Sequence, residues 1–261
     1  MRRTIALTAL LVVTCAIAHA QVVRVESHAG ATTDIWGKYY RAGKMLTFSG
    51  RVTGIEVTRP APGKEKEVTL IVRNRDGGGT TVVDVGPSWY VDHQVAKIKV
   101  KDIVQVTGSK VLVDGRGIIL AKLIRINGQG GPVVTLRRQN GRAYWQGTEI
   151  ADNVTIPTGP NVQSGTITNF STYNLNNIAY GEAVLQTDNG LVNIDLGPQW
   201  YYGQQNLAYQ IGDHVSVVVG PNSISVGPNQ NIYQSYSIYN GPSIYTVRYD
   251  NGVPAYYWNG N

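Results

Sequence analysis

Along most of this chain apolar residues alternate with polar ones and rarely recur at helical spacing, which predicts strands. Leu46-Thr47-Phe48-Ser49-Gly50-Arg51-Val52-Thr53-Gly54-Ile55-Glu56-Val57 reads as one long strand with two interior glycines. Such glycines mark bulges or the tight bends of a small barrel. Pro60-Ala61-Pro62-Gly63 breaks the chain, and Val68 to Val72 is a second strand with Arg73 and Arg75 at its end. Asp76-Gly77-Gly78-Gly79 turns into a third, Thr80 to Val85, which Gly86-Pro87 ends. The stretch to about Lys99 breaks the alternation and holds a short helix or an irregular loop. Ile103 to Gly108 resumes as a fourth strand, extendable to Val113. A turn at Asp114-Gly115-Arg116-Gly117 leads into a fifth, Ile118 to Ile126.

Three strands, a non-strand connection and two more strands follow the order of an OB-fold, a five-stranded Greek-key barrel. Val133 to Trp145 adds a hairpin with an Asn140-Gly141 turn. The plan is then repeated. Val83-Asp84-Val85-Gly86-Pro87-Ser88-Trp89-Tyr90 returns 111 residues later as Ile194-Asp195-Leu196-Gly197-Pro198-Gln199-Trp200-Tyr201. At the same offset Asp102 answers to Asp213, Leu136-Arg137 to Val247-Arg248 and Asn140-Gly141 to Asn251-Gly252, with Trp258 expected to stand in for Trp145. A period of that length is domain-sized, not solenoid-sized. The expected architecture is all-β: two tandem OB-like five-stranded β-barrels, each with an added C-terminal hairpin. Residues 46–147 form repeat 1 and 163–261 repeat 2, joined by a linker at 148–162 that contains Pro157 and Gly159-Pro160. Residues 21–45 form an N-terminal arm, which Trp36, Tyr39 and Tyr40 are expected to pin to the first barrel.

Composition adds a compartment. Arg2-Arg3, an apolar run from Ile5 to Ile17 and Ala18-His19-Ala20 have the form of a secretory signal peptide, residues 1–20. A lipobox reading of Cys15 competes with cleavage after Ala20. The run is too short to span a bilayer, and no later run approaches that length. A periplasmic or secreted product without disulfides is expected, since Cys15 is the single cysteine.

Charge separates the repeats. Residues 21–150 carry 20 Lys+Arg against 11 Asp+Glu, whereas residues 151–261 carry Arg248 alone against six acidic residues. Two readings are open: the basic half meets a polyanion, or opposite charges dock the halves or neighbouring molecules on each other. Candidate ligand contacts are Arg73, Arg75, Lys97 and Lys99, with Arg137, Arg138 and Arg142 around the hairpin beside Tyr144 and Trp145. Basic side chains among aromatics suit single-stranded nucleic acid or an anionic glycan; a solvated face is the plain alternative. Trp89, Tyr90, Trp200 and Tyr201 follow the Gly-Pro corners, as barrel plugs or as stacking surfaces. Repeat 2 holds 12 of the 16 tyrosines, a composition suited either to a contact surface or to a plain sheet.

Catalytic chemistry finds no foothold. His28, His93 and His214 lack metal-ligand spacing, and no catalytic or cofactor motif is present. His214 aligns with Ile103 and is expected to be a satisfied core histidine. Asp84 with Asp195, and Asp102 with Asp213, are expected to cap turns and loops. No catalytic residue, metal site or cofactor is expected.

The residues Gly86-Pro87-x-Trp89-Tyr90, Asp102-x-Val104-x-Val106-x-Gly108 and Leu136-Arg137…Gly141…Trp145 give the chain a pattern that resembles bacterial exported OB-fold proteins. The second copy departs from it at Gly220, one residue late relative to Gly108, leaving that strand's register open. The resemblance implies an OB-like barrel in the cell envelope and no established reaction. The expected function is a non-enzymatic envelope binding or protein-interaction module; the alternative is polyanion binding by repeat 1.

Overall fold

The computed structural model describes residues 34–60, 62–113, 115–205, 207, 209–227 and 230–256. The expected signal peptide, the start of the arm, Asp114 of the fourth-to-fifth turn, and Tyr257 and Trp258 lie outside these residues. Six strands make the first sheet: β1 (Met45–Thr58), β2 (Glu67–Asn74), β3 (Thr80–Pro87), β4 (Ile103–Val113), β5 (Arg116–Ile126) and β6 (Val133–Thr135). Their order is β3-β2-β1-β4-β5-β6, and β3 also pairs in parallel with β5 through Val82–Ile118 and Val83–Ile119. That pairing closes the OB-like barrel. Both interior glycines of β1 serve the bend. Any side chain at Gly50 would meet the Arg73 carbonyl at 2.5 Å, and the register with β2 shifts between Val52 and Gly54. The break after β3 holds a single helical turn, α1 (Ser88–Val91). The added hairpin is short: β6, then one bridge between Arg137 and Ala143.

The second sheet contains β7 (Thr148–Ile150), β8 (Val162–Leu175), β9 (Ile178–Thr187), β10 (Gly190–Pro198), β11 (His214–Gly227), β12 (Gln230–Asn240) and β13 (Ser243–Thr246), with α2 (Gln199–Tyr202) after β10. Its order is β10-β9-β8-β11-β12-β13-β7, closed by β10 on β12. Thr148–Ile150, inside the stretch read as linker, is thus a strand, and it pairs with β13 of the second barrel. The register of β11 on β12 does change: shifts lie between Val218 and Val219 and again before Ser223. Gly220 sits in this bulge, where a Cβ would be 2.7 Å from the Tyr236 ring.

One buried cluster runs through both barrels, so they share a core. The contact between them is pseudo-twofold. Gln94 and Gln205 stand 111 residues apart. Gln94 Nε2 donates to the Tyr90 carbonyl of its own repeat and to the Tyr256 carbonyl of the other; Gln205 Nε2 donates to those of Tyr201 and Trp145. Arg138 and Tyr249, also 111 apart, face each other across the pseudo-axis, with Arg138 Nη2 3.1 Å from the Tyr249 hydroxyl. His93 stacks on Trp200 at 4.2 Å, and Trp89 packs against Tyr201. Charge enters the docking of the halves through the Arg138 guanidinium and through Arg142, paired with Glu149 of β7; the rest of the seam is aromatic rings and amides.

Both barrels should accordingly unfold together in one calorimetric transition. Gln205→Ala would strip the Gly147 N–H of its acceptor and two carbonyls of a donor. An expected loss of about 1–3 kcal/mol follows from leaving such buried groups unpaired. Scanning calorimetry would show a lower Tm, and a shoulder as the barrels uncouple. An unchanged single peak would contradict this account of the seam.

Candidate functional site

The exposed arginines of repeat 1 meet on one face of the sheet. In the β1–β2 register Arg51 lies directly opposite Arg73, and the Arg75 N–H donates to the Ser49 carbonyl. On the other side of β1, Arg51 pairs with Ile103 and Ser49 with Gln105 of β4, while Gln105 faces Arg125 of β5. Two adjoining clefts follow these rows. One, of about 550 Å³, is lined by Gly50, Arg51, Thr53, Arg73, Asn74, Arg75 and Ile103. The other, of about 430 Å³, shares Arg75 and Ile103 and adds Ser49, Gln105 and Arg125 among its lining. Side-chain contacts of Arg51 and Arg125 are to the carbonyls of Lys101 and Gly131, at 3.3 and 3.5 Å. Among the described residues, ion pairs are formed by Arg137, Arg142 and Arg248, not by these four arginines.

Two guanidinium groups directly opposite each other across strands cost stability, so the fold gains nothing from the Arg51–Arg73 pair. The second barrel supplies an internal control. Val52 bonds to Asp102 and Lys101 as Ile167 bonds to Asp213 and Gly212, which aligns Arg51 with Thr166. Thr166 faces Gln186 where Arg51 faces Arg73, and Ser216 faces Tyr239 where Gln105 faces Arg125. The same barrel is built without any of these cations.

Arg73 and Arg75 thus stand where the strand pattern put them, in the cleft. Lys97 and Lys99 are exposed on the loop before β4, outside the cleft lining, with Lys97 Nζ donating to the Asp92 carbonyl. The remaining candidates are corrected. Arg137 is 1% exposed, and Tyr90, Tyr144, Trp145 and Tyr201 are buried, so none presents a ligand surface. The basic-aromatic interleaving is internal: Arg137 lies 5.3 Å from the Tyr40 ring and 5.1 Å from Trp145, and Arg138 lies 4.8 Å from Tyr249. Arg142 is turned to the Thr148 carbonyl and to Glu149. Trp89 and Trp200 are half-buried in the seam between the barrels.

Other sequence expectations change as well. Tyr201, Tyr202, Tyr209, Tyr245 and Tyr256 of the tyrosine-rich repeat are core residues. Tyr256, 111 residues on, takes the place of Trp145: Gly86 abuts the Trp145 ring as Gly197 abuts that of Tyr256. Ile103 is 38% exposed and His214 is exposed too, so that aligned position is surface in both barrels. Asp102 and Asp213 do cap, accepting the Lys99 and Gln210 N–H. Asp195 accepts the Gly197 N–H but is chiefly the ion-pair partner of Arg248 at 2.6 Å. Sequence reasoning passed over Arg51 and Arg125, whose signal was a lone cation between core positions in Arg51-Val52 and Ile124-Arg125-Ile126.

Fold and cleft together define a tandem β-barrel protein with one cationic sheet face. The sequence matches the MamS/MamX magnetosome protein family over residues 44–130 and 161–241, one stretch in each barrel. The chain belongs to that family. No match is found among curated proteins. Similar solved structures include one described as "Structural mimicry for functional antagonism", at 11% identity and TM-score 0.24, covering 80% of this chain and 99% of that one. Another is the single-stranded DNA binding protein from Thermus aquaticus, at 11% identity and TM-score 0.22, covering 75% and 91%. A murine DNA binding protein bound with double-stranded DNA is 10% identical, with TM-score 0.21 and coverage of 78% and 96%. No helix among the described residues is long and apolar enough to cross a membrane.

Beneath the corner of β3, Arg137 is held by Asp34 and, at 3.9 Å, by Asp84. Glu67 is buried beside them. Burial first, then the charges of Asp84 and Asp34, pushes its carboxyl up to about 9, and burial lifts Asp84 to about 7 against the pull of Arg137. A folded-state pKa raised this way favours folding fully only below the unfolded value of 4.5, and that advantage is lost as pH rises toward about 9. Thermal melts should therefore show Tm falling between about pH 5 and about pH 8. Glu67→Gln should flatten that slope and raise Tm at the upper end by at least a few degrees. A variant melting lower by the same amount at both pH values would show that Glu67 is held ionised.

Proposed function

We propose that this protein binds rather than catalyses, holding an anionic polymer against the arginine cleft of its first barrel. The observation that carries the reading is the Arg51–Arg73 pair, two like charges set opposite each other on a barrel whose duplicate does without them. Four guanidinium groups on one face offer forked donors that match carboxylate, phosphate or sulfate oxygens. Of the two functions expected from sequence, polyanion binding thus takes precedence over an undefined protein-interaction role. The duplicated aspartates support binding over hydrolysis, since Asp84 and Asp195 are buried against arginines instead of converging on a cleft. An envelope location, periplasmic or secreted, is part of the proposal and rests on the N-terminal sequence pattern.

The test is retention on an immobilised polyanion, with heparin as the generic probe. For about four neutralised charges, raising salt from about 50 to about 200 mM should lower affinity roughly 50-fold. Arg51→Ser with Arg73→Ser should elute at clearly lower salt than Lys110→Ser with Arg116→Ser, a control that removes equal charge from the β4–β5 hairpin. Identical elution of the two double variants would overturn the cleft as the binding site.

A further inference from the structure

We infer that the anionic partner is an acidic polypeptide segment, not a nucleic acid or a glycan; the inference rests on the cleft reading above. The first ground is what the cleft lacks. Proteins hold single-stranded nucleic acid by stacking bases on aromatic side chains, worth about 1–3 kcal/mol per base, alongside phosphate neutralisation. No aromatic residue is among the described lining of either cleft. The aromatics that could have served are committed elsewhere: Trp89, Trp200 and Tyr201 to the seam, Tyr90 and Trp145 to the core. Sugar rings are commonly held on the same kind of flat platform, so a glycan loses an equivalent contact.

The second ground is what the cleft has. Between and beside the arginines lie Ser49 and Gln105, a donor and acceptor pair suited to a peptide backbone, with Ile103 as a half-exposed apolar floor; Thr53 and Asn74 at the margin are turned to the Ile71 and Gly78 carbonyls. From Arg75 on β2, beside the Arg51–Arg73 pair, the row through Ser49 and Gln105 to Arg125 on β5 crosses three strand intervals, about 14 Å, the length of roughly four extended residues. Carboxylates on such a segment would meet Arg51 and Arg73 at one end and Arg125 at the other, each guanidinium able to take a carboxylate through two bonds.

The acidic partner is a separate chain. The second repeat of a neighbouring copy is a poor donor: of its six acidic residues Glu182 and Asp195 are buried, Asp213 is bonded to Asn240 and the Gln210 N–H, and the exposed Asp152, Asp188 and Asp250 stand singly, far apart in sequence.

Fluorescence anisotropy on the purified protein separates the cases with three labelled probes of matched charge: a glutamate decapeptide, a dT oligonucleotide and a heparin oligosaccharide. The decapeptide should bind at least about tenfold tighter than the other two, and Arg51→Ser with Arg73→Ser should abolish the difference. If the oligonucleotide or the oligosaccharide binds as tightly or tighter, and still depends on those arginines, the polypeptide inference fails while the cleft reading stands. If no probe binds, or none responds to the arginine substitutions, both fall.

Discussion

A guanidinium group taken out of water must be met by a carboxylate, and that requirement fixes the architecture of each barrel. Arg137 and Arg248 both leave the closing hairpin, enter the protein under the strand-three corner and end against Asp84 and Asp195. Breaking such a buried pair by removing one member costs about 3–5 kcal/mol, because a charge is left without compensation. The pair therefore ties together segments over fifty residues apart, and much of the local detail follows from it. Gly86 and Gly197 adopt positive φ so that the corner can pass beneath the Trp145 and Tyr256 rings. The arm is drawn in through Asp34, and Tyr40 packs over the same guanidinium. In the first barrel two aspartates share one arginine with Glu67 alongside, which makes that corner the proton-sensitive one.

Duplication then decides how the rings are used. Two copies of one surface can meet about a pseudo-twofold axis, with residue i touching j while j's equivalent touches i's. The Gln94 and Gln205 bonds follow that rule, and at Arg138 against Tyr249 the axis pairs a residue with its own counterpart. That seam consumes the aromatic residues following both Gly-Pro corners. An aromatic-rich composition consequently describes the inside of this molecule, and the exposed sheet face that remains is characterised by charge.

The strands were legible because alternation records burial directly: Val104, Val106, Ile124 and Ile126 point inward and their neighbours outward. The repeat was legible because the corner and the hairpin keep an offset of 111. Elsewhere the offset drifts, as Val52 answers to Ile167, 115 residues on, and Arg125 to Tyr239, 114 residues on, so a fixed shift misaligns the face that carries the cleft. Arg51, Arg73 and Arg125 belong together only through cross-strand register, and a bulge such as that at Val52–Gly54 moves register without leaving a signature in composition. Arg137 misled in the opposite sense. An arginine in a hairpin next to Trp145 has the appearance of a ligand contact, and only the meeting of the hairpin with Asp84 shows it to be a structural ion.

The divergence between the repeats has a physical logic. A single barrel that must both bury its aromatic corner and present a cationic face carries the cost of like charges on its sheet alone. In the tandem form the second barrel covers the first one's corner, contributes to a continuous core and keeps Thr166, Gln186 and Tyr239 where the first has arginines. Repulsion between Arg51 and Arg73, of the order of 1 kcal/mol at most for a surface pair, can then be offset by packing across the seam. A cationic cleft on one barrel and a neutral equivalent on the other are compatible with that arrangement: the neutral barrel adds packing across the seam, which offsets the repulsion the charged one carries on its face.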